Sequence, residues 1–66
     1  MRAIMTALEL KQEFVQAIGH HERGEISIDD LYQCADRYIA ALIAYKKKTG
    51  KRFNIPSRAY LIRAFR

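Results

Sequence analysis

Between Ile28 and Thr49 the chain contains neither glycine nor proline, and the first breaker it meets is Gly50. Nothing in that stretch interrupts a helix. A helix of about 20 residues measures roughly 30 Å, the diameter of a small domain. In a chain of 66 residues such a rod must be the central element around which the rest is arranged. Ser27, with Asp30 three residues on, marks its start, and Asp29 and Asp30 suit the positive end of a helix. Its principal apolar stripe reads Ile28, Leu31, Tyr32, Ala35, Ile39, Leu42 and Ile43. Tyr38, Ala40, Ala41, Ala44 and Tyr45 then make its second half apolar almost all round. A helix of that kind is central or shared with a partner.

Two shorter helices are expected beside it. Thr6-Ala7-Leu8-Glu9 has the capping-box form, so the first helix opens near Ala7. Ala7, Leu10, Phe14, Ala17 and Ile18 give it one stripe, which Leu8 and Val15 widen. Gly19 weakens its last turn and Gly24 marks the connecting loop, which would leave His20 and His21 in a polar loop. After Ile55-Pro56-Ser57 a third helix is expected over about 57–65, with Tyr60, Leu61, Ala64 and Phe65 on its apolar side. No period-two alternation suggests a sheet. The expected fold is all-α, a single three-helix domain over residues 1–66 with a long central helix.

A chain this short buries only roughly 60% of the surface it exposes when unfolded, so a large catalytic cleft is not expected. Cys34 is the sole cysteine, which excludes an internal disulfide and a thiolate cluster and points to a reducing cytoplasm. Without a histidine near it in sequence, Cys34 reads as a small packing residue. There is no Gly-rich phosphate loop and no paired catalytic carboxylate spacing. Neither an enzyme, a metal site nor a cofactor is expected. The longest apolar run, Tyr38 to Tyr45, falls far short of the roughly 20 residues that span a bilayer, and the start of the chain lacks a signal-peptide pattern.

The net charge of +5 conceals a separation of charge. All seven acids lie before residue 37, where three cations oppose them and leave −4; the nine cations from Arg37 onward meet no acid and carry +9. Lys46-Lys47-Lys48-Thr49-Gly50-Lys51-Arg52 places five cations in seven residues around a flexible glycine, and Arg58, Arg63 and Arg66 continue the sign. The tract reads either as a solvated helix end stabilised by the macrodipole or as a clamp on a nucleic-acid phosphate backbone. No motif that reads bases accompanies it. On the central helix, Asp36 has Tyr32, Gln33, Ile39 and Ala40 at its three- and four-residue neighbours, and none is basic. Any ion-pair partner must come from the basic third segment or from another molecule.

The segment from Glu25 to Leu42, together with Ile55-Pro56-Ser57 and the aromatic Tyr60, resembles the Hha/YmoA family of small bacterial nucleoid-associated modulators. That family shows an E-L-S start, an acid-plus-leucine turn, a Y-x-A-A-D helix continuing to A-x-L, and a final I-P-S followed by tryptophan. The resemblance covers roughly residues 25–62. It implies a compact all-helical protein that binds the N-terminal dimerisation region of H-NS-type proteins and adjusts gene silencing, with Asp36 on the motif aspartate tied to that contact. This chain departs from the pattern in a longer and more basic loop before Ile55, a tyrosine in place of the tryptophan, and a shorter leading segment.

The expectation is therefore a cytoplasmic, non-enzymatic regulatory protein. Tyr38, Ala41 and Tyr45 would contact a protein partner or a second copy, and Asp36 would make an ion pair across that contact. Lys46, Lys47, Lys48, Lys51, Arg52, Arg58 and Arg63 would contact nucleic-acid phosphate. The alternative is a phage- or plasmid-type inhibitor or adaptor that docks on an acidic protein surface without nucleic acid. Attachment of the short Ala59–Arg66 segment to a membrane surface ranks last.

Overall fold

Three helices follow one another in the computed structural model: α1 (Ala7–Glu22), α2 (Ile28–Thr49) and α3 (Arg58–Phe65). The structure describes residues 6–66; Arg2, which contributes to the charge of the acidic half, lies outside the described residues. The all-α fold with a long central helix is present as expected, and there is no strand among the described residues.

Each helix starts where a side chain satisfies amides that the first turn leaves without a partner. At α1 the Thr6 hydroxyl accepts from the Glu9 N–H at 3.2 Å while the Glu9 carboxylate accepts from the Thr6 N–H at 3.0 Å, which completes the capping box. Ser27 accepts from the Asp30 N–H, and Ser57 from the Tyr60 N–H, each at 3.2 Å. Such a cap contributes about 1 kcal/mol. α2 ends at Gly50, whose φ of 71° lies in the left-handed region and whose N–H donates to the Lys46 carbonyl at 2.9 Å.

The core is small. Phe14, Ala17 and Ile18 of α1, Leu31 and Ala35 of α2, and Leu61 of α3 are buried, and Ile26, Cys34, Tyr38, Ile39, Ile62 and Phe65 pack around them. Phe14 is its centre, with the Phe65 ring at 5.6 Å and the Tyr38 ring at 6.3 Å. Ion pairs fasten the edges: Arg37 to Glu13 joins α2 to α1, and Arg66 reaches Glu22 at 3.5 Å.

Several local expectations are corrected. Helix α1 passes through Gly19, so His20 and His21 form its last turn instead of a loop. Their Nδ1 atoms find partners beyond the helix end, His20 on the Glu25 carboxylate and His21 on the Ile26 carbonyl, and these contacts offset the weakness of glycine in a helix. Ile28 and Ile43, both on the expected stripe of α2, are 41% exposed, and Tyr60 on α3 is 61% exposed. The reason is coverage. The Cα envelope measures 38 × 31 × 15 Å; with Cα atoms about 2.3 Å from a helix axis and packed axes about 8–10 Å apart, its thin dimension holds two helix layers. Two shorter neighbours packed in so few layers cannot enclose α2 on all sides.

Candidate functional site

Lys46, Lys47 and Lys48 occupy the last turn of α2, where the negative end of the macrodipole favours cations. Beyond Gly50 the chain turns back toward the helix. The Thr49 hydroxyl donates to the Tyr45 carbonyl at 2.9 Å and accepts from the Lys51 N–H at 3.4 Å, which pins the turn. Phe53 is thereby returned to Tyr45, their ring centroids 6.4 Å apart and inclined at 44°. The Lys46 ammonium stands 5.7 Å from the centre of the Phe53 ring, and the Lys51 ammonium 5.7 Å from that of Tyr45.

Six of the seven cations expected at phosphate make no ion pair among the described residues: Lys46, Lys47, Lys48, Lys51, Arg52 and Arg63. The seventh, Arg58, is engaged. It forms an ion pair with Asp36, Nη2 to Oδ2 3.2 Å, and lies 5.0 Å from the centre of the Tyr32 ring. Asp36 thus has its partner from the third segment of the same chain, and both side chains are about half exposed. Arg58 is not gathered with the lysines, since Asp36 precedes Lys46 by ten residues, roughly 15 Å of helix rise. From there α3 runs toward Glu22, the partner of Arg66, and takes Arg63 away from the tract as well.

The residues expected to contact protein divide similarly. Tyr38 is turned inward, half-buried against Phe14. Ala41 and Tyr45 line an open groove of about 610 Å³ between the start of α1 and the second half of α2. Ala7 and Leu10 form one wall and Ala40 and Ala44 continue the other, with Arg37 and Lys48 also lining it. Small side chains on α2 keep that groove open and would let another helix approach closely.

Phe53 was not among the expected site residues. The pattern that could have revealed it is the placing of Tyr45-Lys46 and Arg52-Phe53 on either side of a glycine turn. Cys34 is partly buried against the core and accepts from an Arg37 N–H at 3.4 Å. Among the described residues no group of three or more His, Cys, Asp and Glu side chains is placed to hold a metal ion, and no helix is long and apolar enough to cross a membrane.

Among the described residues, a perturbed carboxylate stands at the opposite end of the molecule, just beyond α1. Hydrogen bonds from His20 and then Arg23 hold the Glu25 carboxyl below its ordinary value. No protein-family model, curated protein or solved structure matches the chain.

Proposed function

We propose that this chain is a small non-enzymatic regulatory protein that holds nucleic acid by its phosphate backbone at the end of α2 and takes a protein partner along the open flank of that helix. The carrying observation is the set Lys46, Lys47, Lys48, Lys51 and Arg52, none of which meets a carboxylate among the described residues. Five like charges around one turn repel one another, and a polyanion relieves that repulsion. The end of a helix carries only about half a negative charge, so five cations exceed what capping alone requires.

The test is duplex DNA binding across salt. Each neutralised phosphate adds about −0.9 to the slope of log affinity against log salt. Five contacts predict a slope near −4.5, which is roughly a 500-fold loss between 50 and 200 mM salt. Replacing Lys47 and Lys48 with glutamine should flatten the slope by about 1.8. Binding of neither duplex nor single-stranded nucleic acid at low salt would refute the nucleic-acid reading and assign the cations to an acidic protein surface.

The protein half of the proposal is supported by the groove, which contains Ala41 and Tyr45. An H-NS-type dimerisation region is the partner implied by the resemblance over residues 25–62, and a second copy of the chain is the competing occupant. Titrating each against labelled protein and following the Ala41 and Ala44 methyl resonances separates them. Resonances unmoved by either would remove this flank from the proposal.

A further inference from the structure

Resting on the phosphate-binding reading above, we propose that Tyr45 and Phe53 form a stacking platform for unpaired bases, so that the nucleic acid held at this end is single-stranded. The two rings belong to no core. Tyr38 and Phe65 pack into the cluster around Phe14, whereas neither Tyr45 nor Phe53 is among the residues packed against it. Tyr45 is 41% exposed and Phe53 partly so. They stand together because Gly50 reverses the chain and Thr49 pins the reversal on both sides. The pair is therefore built before any ligand arrives.

What surrounds the rings is positive charge. Lys46 and Lys51 each lie over one ring, and Lys47, Lys48 and Arg52 adjoin them in the chain, all without a carboxylate partner among the described residues. A duplex can use only the cations, since its base faces are already covered by neighbouring bases. A single strand can use the rings too. Base stacking on an aromatic side chain raises affinity roughly 5- to 150-fold per base, more than an exposed ammonium gains over a ring. A base thus displaces the ammonium from the ring face, and the freed ammonium is available to the adjoining phosphate.

Charge alone makes the opposite prediction, because a single strand has the lower charge density and the weaker salt response. The order of affinities is therefore diagnostic. Dye-labelled 15-mers of thymidine and of uridine and a 15-base-pair duplex are titrated with the protein at 50 mM salt and followed by anisotropy. The proposal expects at least one single strand to bind about ten-fold or more tighter than the duplex, and the tighter of the two identifies DNA or RNA as the source. Tyr45→Leu with Phe53→Leu should abolish that preference while duplex affinity and its salt slope stay unchanged. Because the double variant can fail to fold, the wild-type Tyr45 and Phe53 ring resonances provide a second readout, which should move upfield with the thymidine strand and not with the duplex. Single strands that bind no tighter than duplex, or rings that do not respond, overturn the platform and leave the phosphate reading standing. If nothing binds at 50 mM salt, both fall.

Discussion

Replacing Gly50 with alanine isolates the contribution of one backbone angle. The residue caps α2 at φ 71°, and a Cβ built there meets no atom within 4 Å. Steric collision is thus absent, and the cost is the left-handed conformation itself, about 1–2 kcal/mol for an L-residue. Reduced freedom of the unfolded chain returns about 0.4–1 kcal/mol, which leaves a net loss near 1 kcal/mol. Against the ~3–10 kcal/mol expected for a domain of this length, that loss is measurable, and it lowers Tm by about 4–8 °C. Gly19 supplies the contrast. It lies inside α1 without a positive φ, and its Cβ would meet only the end of the flexible Arg23 side chain at 3.5 Å. Gly19→Ala should therefore stabilise by about 0.5–1 kcal/mol. Urea unfolding followed by circular dichroism should place the two variants on opposite sides of the wild type. Gly50→Asn should recover part of the loss, because asparagine tolerates the left-handed region. Shifts of the same sign for Gly50→Ala and Gly19→Ala would refute the reasoning, as would a Gly50→Asn variant no better than alanine.

Phe14→Ala removes a ring that is fully buried between Tyr38 and Phe65. A loss of about 3–5 kcal/mol should leave much of the chain unfolded at 25 °C, visible as lost helicity. Asp36→Asn breaks a half-exposed pair with Arg58 and should cost no more than about 1 kcal/mol by urea titration; a larger loss would mean that the pair does more than close the α2–α3 edge. Glu25, held below its ordinary value by His20 and Arg23, adds stability that is fully present above the unfolded-state value and disappears as the pH falls through the lower folded one. In an NMR titration its midpoint should lie below that of an ordinary glutamate, and His20→Ala should raise it.

The expected helix starts agree with the structure because their causes are local. Thr6 and Glu9, Ser27 and Asp30, and Ser57 ahead of Arg58 act within one turn, and that turn is legible in three or four letters. The end of α1 was not legible, since Gly19 was expected to weaken it while the contacts that extend it come from Glu25 and Ile26, beyond the next turn. The candidate site divides in the same way. The lysine tract is a sequence fact, but its isolation from Arg58 and Arg63 depends on where α3 lies. Asp36 lacked a same-helix partner by inspection, and only the docking of α3 shows that Arg58 supplies one.

Spacing and end signals alone established three helices, the long middle one, and the concentration of positive charge beyond it, because hydrogen bonds within a turn and charges along a chain do not depend on distant residues. Which apolar side chains became core was decided in three dimensions. An eight-residue α3 docked beside Asp36 and Glu22 covers one side of α2 and leaves the other, with Ala40, Ala44 and Tyr45, in the open. The pairing of Tyr45 with Phe53 likewise arises only when the Gly50 reversal brings eight residues of separation down to ring contact. Periodicity assigns a residue to a face of its helix; whether anything lies against that face depends on the length and direction of the other helices.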